Sequence, residues 1–257
     1  MSIQTDLLNY LNVFRLPSIR AQYEETAREA TKESLSYEQY LHVLFQEEYQ
    51  LRRTNQIDRY LKASRLPLEK TLSTFDLSRL PQKVRQQIPR LLAGTFLQHQ
   101  ENILVFGSPG TGKTHLLCAI AQELIQKEKR IFFCKSVLLV QELLMAKKNL
   151  ELAKYLKKLS KFDALLIDDI GYVQQSREEM EVLFTLLADR YERASIMMSS
   201  NLPFSKWDTL FKDAMTAAAA IDRLVHHSTI LELNISSFRM QAAQSKGGAQ
   251  KKNKLQI

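Results

Sequence analysis

The amino-acid sequence predicts an α/β protein in which a small all-helical module precedes a parallel five-stranded sheet flanked by helices. From residue 102 onward, short apolar runs alternate with segments of helical periodicity, a pattern typical of a doubly wound parallel sheet. A glycine-rich loop separates the first of these runs from the helix that follows it. The first 93 residues contain no glycine, and their apolar side chains recur every three or four positions, which indicates helices.

The predicted domains follow these changes in pattern along the chain. Residues 1–65 are predicted to form the helical module. Residues 66–100 contain three prolines and a glycine, which predicts a basic connector with short helices. Residues 101–240 are predicted to form the sheet domain. Residues 241–257 are polar, carry four lysines and are expected to be disordered.

Each strand of the sheet is predicted from a short apolar run. The run from Ile103 to Phe106 is continuous, as expected for a strand that is covered on both faces. Strands are predicted at residues 103–106, 130–134, 164–168, 195–200 and 229–233. Helices are predicted between and after them, at residues 113–127, 137–146, 150–160, 177–192 and 214–226.

Composition excludes several classes of protein. No run of about 18 apolar residues is present, so no membrane span is expected. The N-terminal residues lack the basic and apolar regions of a secretory signal. The two cysteines, Cys118 and Cys134, lack the spacing of a zinc cluster, and we expect both to be reduced and buried. These observations predict a cytoplasmic protein.

The basic charge of the chain is concentrated in two segments. The net charge is +8, which favours a polyanionic partner but also serves solubility. Residues 147–161 contain one glutamate and six lysines, which could follow DNA phosphates or simply form a solvated helix face: Lys147, Lys148, Lys154, Lys157, Lys158 and Lys161. Residues 51–90 contain ten basic and three acidic side chains, and they provide a second set of candidates: Arg52, Arg53, Arg59, Lys62 and Arg65.

The glycine-rich loop has the complete pattern G-x-x-x-x-G-K-[ST] and the expected context of strand and helix. Its backbone N–H groups are expected to surround phosphate oxygens at the positive end of the following helix. Lys113 is expected to reach the β- and γ-phosphates of a nucleotide, and the Thr114 hydroxyl is expected to bind Mg²⁺. The predicted nucleotide-binding residues are Gly107, Ser108, Pro109, Gly110, Thr111, Gly112, Lys113 and Thr114.

Two carboxylates, Asp168 and Asp169, end the third predicted strand. We expect this strand to lie against the loop strand, which would place Asp168 beside the Mg²⁺ site. Asp169 would then face the γ-phosphate and orient or deprotonate the attacking water. The alternative is a solvated turn, and the base role is less secure because aspartate is one methylene shorter than glutamate.

A strand-end asparagine and one arginine complete the candidate site. Asn201 could help to place the water, or it could be a turn residue before Pro203. Arg223 could reach a neighbouring subunit and stabilise charge on the transferred phosphoryl group. It could equally pair with Asp222 at the end of a helix, and two other arginines are rival candidates: Arg190 and Arg193.

Together, the loop, the acidic strand end, the asparagine and the arginine resemble the motifs of AAA+ ATPases in order and approximate spacing. Within that superfamily the chain is most similar to the IstB-like group, which is related to the DnaC-like helicase loaders. The resemblance covers about residues 6–240. It rests on GSPGTGKTHL, LLIDDIGY, ADRYERASIMMSSNLPFSKW and AAIDRLVHHSTILEL, and in the helical module on LNVFRLPSIRAQYEE and LSYEQYLHVLFQEE.

This resemblance implies a transposition helper that binds ATP, Mg²⁺ and duplex DNA. Such proteins assemble as a homo-oligomeric ring or helical filament, hydrolyse ATP and direct the transposase of the same insertion sequence to target DNA. In family terms, Asn201 matches the first sensor and Arg223 the arginine finger. The chain departs from the AAA+ pattern after its fifth strand, where no helical lid domain is expected and Arg239 is a poor candidate for a second sensor.

Two other functions use the same phosphate loop. A DnaC-like replicative helicase loader shares the ATPase motifs, but it would prefer single-stranded DNA and would contact a helicase. A small-molecule kinase would need a substrate lid and an acceptor site. The kinase hypothesis also leaves the basic segments, Asn201 and Arg223 unexplained.

Overall fold

A computed structural model gives the fold of the chain and describes residues 2–171, 176–202, 207, 222 and 224–238. The chain divides into two compact units, Met1–Arg59 and Tyr60–Ile257. The division falls within a single long helix rather than in a loop.

The first unit consists of helices α1 (Ile3–Val13) and α2 (Pro17–Lys32) and most of α3 (Tyr37–Ser64). The Ser2 side chain accepts a hydrogen bond from the Thr5 N–H and so caps α1, while a proline opens α2, where its missing N–H is not needed. The core is small, with three buried side chains from the three helices: Leu11, Ile19 and Leu44.

A buried carboxylate also ties these helices together. Glu48 on α3 is 3% exposed, and its Oε2 accepts a hydrogen bond of 2.9 Å from the Ser18 N–H at the start of α2. The Arg52 guanidinium donates to the other carboxylate oxygen at 2.8 Å. Arg52, one of the predicted DNA contacts, therefore has a structural role within this unit.

The second unit is built around a five-stranded parallel sheet, which confirms the predicted fold class. Its strands are β1 (Asn102–Phe106), β2 (Ile131–Lys135), β3 (Ala164–Ile170), β4 (Ser195–Ser200) and β5 (Ser228–Glu232). Their order across the sheet is β2-β3-β4-β1-β5. One expectation is wrong: β3 does not lie against the loop strand β1, because β4 is inserted between them and pairs with both.

Helices cover both faces of the sheet. The helices of this unit are α4 (Gln82–Ala93), α5 (Thr95–Gln98), α6 (Lys113–Gln126), α7 (Ser136–Lys148), α8 (Leu152–Leu159) and α9 (Arg177–Arg190). Helix α6 packs on β2, β3 and β4, with α4 against it. Helices α7, α8 and α9 enclose an apolar cluster on the opposite face, to which alternate strand residues such as Leu104, Leu165 and Ile196 contribute.

Some predictions fall outside the part of the chain that the structure describes. Of the predicted helix at residues 214–226, only Asp222 and residues 224–226 are described, and Arg223 is not. Arg239 and the tail from residue 241 are also outside the described residues. Among the described helices, none combines the length and apolar character that a membrane span requires.

Candidate nucleotide-binding and catalytic site

The predicted phosphate loop joins β1 to α6 at the carboxyl edge of the sheet. A Cβ atom at Gly107 would lie 2.7 Å from the carbonyl oxygen of Leu233, so only glycine fits where the loop passes the end of β5. The Thr111 hydroxyl donates to the Ser108 carbonyl at 2.9 Å and closes the loop on itself. The Gly110 carbonyl accepts a hydrogen bond of 2.9 Å from the Phe238 N–H, so the segment after β5 also holds the loop.

The connector before β1 covers the start of α6. Gly112 has a φ of 92°, in the left-handed region, and a Cβ there would lie 2.9 Å from the Phe75 ring. His115 lies in the first turn of α6 and packs edge to face on Phe75. Its Nε2 lies 3.0 Å from both the Thr71 carbonyl oxygen and the Thr74 hydroxyl. The connector therefore forms one wall of the site, a role that its sequence did not reveal.

Lys113 is buried within the loop that carries it. Its side chain is 5% exposed, and Nζ donates to the carbonyl oxygens of Gly107 at 2.8 Å and Ser108 at 3.0 Å. Nζ also donates to Oδ1 of Asn201, which follows β4. The structure thus brings the predicted phosphate-binding lysine and the predicted sensor asparagine together, although they are far apart in sequence.

Asp168 on β3 faces the start of α6. Its Oδ1 accepts hydrogen bonds from the Thr114 hydroxyl at 2.8 Å and from the Ser199 hydroxyl at 2.6 Å. A carboxylate and a hydroxyl oxygen are the hard ligands that Mg²⁺ prefers, so this pair fits the metal that the sequence predicts. The insertion of β4 does not separate them, because Thr114 approaches Asp168 from α6, above the sheet.

Asp169 lies beside Asp168 but has an unusual backbone conformation. Its φ is 60°, in the left-handed region that a non-glycine residue rarely adopts. Its Oδ1 accepts a hydrogen bond of 3.3 Å from the Asn201 amide. Asn201 therefore bridges Lys113 and Asp169, so the predicted lysine, acid and asparagine form one connected group.

Two serines complete this group, and neither was predicted from the sequence. Ser199 lies on β4, two residues before Asn201, and contacts both acids. Its Oγ donates to Asp168 Oδ1 and accepts a hydrogen bond of 2.9 Å from the Asp169 N–H. Ser136, at the start of α7, donates to the Asp169 carbonyl at 2.8 Å. The only sequence signal for Ser199 is a polar pair, Ser199 and Ser200, at the end of an otherwise mostly apolar strand.

The structure separates the rival arginines. Arg190 is 2% exposed and donates to the carbonyl oxygens of four residues at the amino edge of the sheet, at 3.0 to 3.4 Å: Leu159, Phe162, Asp163 and Ser195. Burial lowers its pKa to about 10, so it stays charged at neutral pH. This geometry excludes Arg190 as an arginine offered to a neighbour, whereas Arg193 is exposed and pairs with Asp189 at 3.6 Å.

The lysine-rich segment covers the end of α7, the whole of α8 and the turn after it. Lys147 pairs with Glu181 at 2.9 Å, and Lys154 pairs with Glu151 at 3.0 Å. Within the described part of the chain, the remaining four lysines are exposed and form no ion pair: Lys148, Lys157, Lys158 and Lys161. Among the connector candidates, Arg65 pairs with Glu142 at 3.2 Å and lies over the Phe132 ring.

Comparison with known proteins identifies the family. The model of the IstB-like ATP-binding proteins matches residues 9–246. The chain belongs to this family. It is 40% identical over 234 residues to an insertion sequence ATP-binding protein of Sinorhizobium fredii, covering 91% of this chain and 78% of the relative. It is 34% identical over 237 residues to the ATP-binding protein of insertion sequence IS21 from Pseudomonas aeruginosa, covering 92% and 89%.

Comparison with solved structures concerns the fold alone. The DnaC helicase loader aligns with a TM-score of 0.52 and 21% identity, over 69% of this chain and 99% of the loader. Identity at that level shows a shared fold. The family and the fold predicted from the sequence are therefore both confirmed, and ATP is the nucleotide that this family binds.

Proposed function

We propose that this chain is a Mg²⁺-dependent ATPase that acts as a transposition helper. The observation that carries the ATPase proposal is the convergence of Lys113, Thr114, Asp168, Asp169 and Asn201 at the carboxyl edge of β1, β3 and β4. Ligand sites of parallel α/β sheets lie at this edge. The group contains a phosphate-binding cation, a pair of oxygen ligands for Mg²⁺ and a second carboxylate.

Each side chain has a specific task in this proposal. Lys113 exchanges its carbonyl partners for the β- and γ-phosphate oxygens of ATP. Thr114 and Asp168 hold Mg²⁺, which neutralises charge on the phosphates when bound. Asp169 orients the attacking water and accepts its proton, and Asn201 fixes the carboxylate of Asp169. The backbone N–H groups of residues 107–112 surround the phosphates.

The transposition role rests on the relatives and on charge. The two relatives are named as ATP-binding proteins of insertion sequences. We infer a transposase of the same element as one partner and duplex DNA as the other, with a homo-oligomeric ring or filament assembled on the DNA in the cytoplasm. The exposed lysines of α7 and α8 would contact phosphates without reading bases.

The proposed domain organisation assigns these tasks along the chain. The helical module of residues 1–65 and the connector of residues 66–100 precede the ATPase domain of residues 101–240. Residues 241–257 form the basic tail.

In an assembly, Arg223 would reach the γ-phosphate bound to a neighbouring subunit. An Arg223→Ala protein mixed with a Lys113→Ala protein should then regain part of the lost ATPase activity, and no rescue would contradict action in trans.

The decisive experiment measures ATPase activity and particle size with no DNA, with duplex DNA and with single-stranded DNA. A transposition helper should be stimulated most by duplex DNA and should form large particles in ATP. A preference for single strands would favour a helicase loader. DNA-independent turnover by a strict monomer would contradict the proposal.

The lysine contacts can be tested in the same assay. A variant with Lys157→Ala and Lys158→Ala should bind duplex DNA more weakly, and its affinity should depend less steeply on salt, because about two phosphate contacts are lost. Lys32→Ala, which removes an exposed lysine from α2, is the matched control. Equal affinities for the double variant and the control would exclude α8 as a DNA contact.

A further inference from the structure

The pairing of β3 with β4 is interrupted at the two acids. Ile167 is the register partner of Met198, but the next pair joins Ile170 to Ser200. Two residues of β3, Asp168 and Asp169, therefore lie opposite the single residue Ser199, which is the arrangement of a β-bulge.

The bulge changes which face of the sheet Asp169 occupies. Side chains alternate along a strand, and Leu165 and Ile167 belong to the apolar cluster under α7, α8 and α9. Regular alternation would add Asp169 to that cluster, on the face opposite Thr114. Instead Ile170 belongs to it, so the phase of the strand has shifted by one residue. Asp168 and Asp169 thereby become available to the same site.

A bulged residue loses regular partners for its backbone, and here two serine hydroxyls replace them. The Asp169 N–H donates to Ser199 Oγ at 2.9 Å, and the Asp169 carbonyl accepts from Ser136 Oγ at 2.8 Å. Both serines are buried, at 0% and 2% exposure. Because an amide can only donate and a carbonyl can only accept, the direction of each hydrogen bond is fixed.

We infer that Ser199 and Ser136 are positioning residues that hold the bulge and so direct the Asp169 carboxylate into the active site. This inference rests on the proposed ATPase function and adds two residues to it. Ser199 also contacts the other acid. Its hydroxyl donates a hydrogen bond to Asp168 Oδ1, as the Thr114 hydroxyl does. Both bonds reach the same oxygen, Oδ1, so within the described part of the chain the other carboxylate oxygen, Oδ2, accepts no hydrogen bond.

The two serines should therefore differ in their effects. Ser199→Ala should lower turnover by about 10- to 100-fold and weaken the affinity of the site for Mg²⁺ by about 10-fold, because it frees both acids. Of the two acids, Ser136 contacts Asp169 alone, so Ser136→Ala should lower turnover without changing the metal affinity. Ser199→Thr keeps the hydroxyl and should recover part of the activity.

A matched control lies on the same strand. Ser195 is fully buried on β4, and its hydroxyl has no hydrogen-bond partner among the described residues, so Ser195→Ala should behave as the unmodified protein. The first measurement is the rate of ATP hydrolysis against Mg²⁺ concentration. The second is Mn²⁺ binding with a non-hydrolysable ATP analogue, followed by electron paramagnetic resonance. The third is hydrogen exchange of residues 164–171 in the nucleotide-free protein.

Exchange at the end of β3 should be faster in Ser199→Ala and Ser136→Ala than in Ser195→Ala, since the bulge has lost a partner. Equal exchange and equal Mn²⁺ affinity in Ser199→Ala and Ser195→Ala would overturn the inference. If Ser199→Ala does not fold, Ser136→Ala decides by its exchange and turnover. If the unmodified protein does not hydrolyse ATP, the proposed function fails, and exchange still decides whether the serines hold the bulge.

Discussion

Two buried cations lie at opposite edges of the same sheet. At the carboxyl edge, Lys113 donates to two carbonyl oxygens of its own loop and to Asn201. At the amino edge, Arg190 donates to four carbonyl oxygens. They belong to the last residue of α8, to the two residues before β3 and to the first residue of β4. Both charges are almost inaccessible to solvent, and both are held mainly by backbone oxygens. Burial and hydrogen bonding alone therefore do not distinguish a functional cation from a structural one.

The surroundings make the distinction. Asn201 links Lys113 to the carboxylate of Asp169, and the loop that carries Lys113 is the predicted phosphate-binding segment. Arg190 forms no ion pair in the described part of the chain, and its acceptors belong to chain segments that the sheet itself fixes. A buried cation is thus a candidate for function when its partners can be exchanged for a ligand. It is structural when its partners are the ends of secondary structure elements.

The strongest test of this comparison removes the cation at the carboxyl edge. Lys113→Ala should weaken binding of a fluorescent ATP analogue by more than about 100-fold, because the main positive charge on the β- and γ-phosphates is lost. Lys127→Ala, at the end of the same helix, is the control, and binding by Lys113→Ala equal to that control would contradict the assignment.

A second test concerns the acid that Asn201 links to Lys113. Asp169→Ala should reduce the rate of ATP hydrolysis by about 10²- to 10⁴-fold and leave ATP binding unchanged, because a general base acts only in the chemical step. Asp189→Ala removes a half-buried acid near Arg190 and should leave the rate unchanged. Normal hydrolysis by Asp169→Ala would assign the base to another residue.

Substitution of the cation at the amino edge should change the stability of the protein and leave the hydrolysis rate unchanged. Arg190→Met should lower the free energy of unfolding by about 3 kcal/mol, because several buried carbonyl oxygens lose their donor. The hydrolysis rate per folded molecule should be unchanged. Arg193→Met, three residues away and exposed, is the control. Urea unfolding can be followed through Trp207, the single tryptophan, which is buried against Phe106.

The sequence predicted the regions that depend on local pattern. The order of strands and helices followed from their periodicity, and the loop followed from a pattern of eight consecutive residues. The insertion of β4 between β1 and β3 could not be predicted, because strand order is a long-range property. The bulge was also hidden, since residues 164–168 were predicted as a regular strand. Arg190 was expected as a possible finger, because three of its four carbonyl partners lie 27 to 31 residues away in sequence.

Two buried groups without charge, the thiols of Cys118 and Cys134, give an effect that depends on pH. Burial raises the pKa of the thiols of Cys118 and Cys134 from 9.0 to about 12. In the unfolded chain these thiols ionise first, so this contribution to stability is complete below pH 9 and is lost as the pH rises toward 12. Its slope should approach about 1.4 kcal/mol per thiol and pH unit.

The thiol contribution can be isolated by substitution. Between pH 9 and pH 11, the urea midpoint should fall less steeply for a protein with Cys118→Ala and Cys134→Ala than for the unmodified protein. An identical slope in both would show that the thiols are accessible to solvent.

The burial of Lys113 has a thermodynamic consequence for ligand binding. In the nucleotide-free protein the ammonium group has already lost its hydration shell to Gly107, Ser108 and Asn201. Its dehydration therefore accompanies folding, and an arriving phosphate only replaces neutral acceptors with a charged one. Preorganisation of this kind leaves more of the electrostatic attraction to appear as affinity. The phosphate loop thus holds its cation largely dehydrated as part of the fold itself.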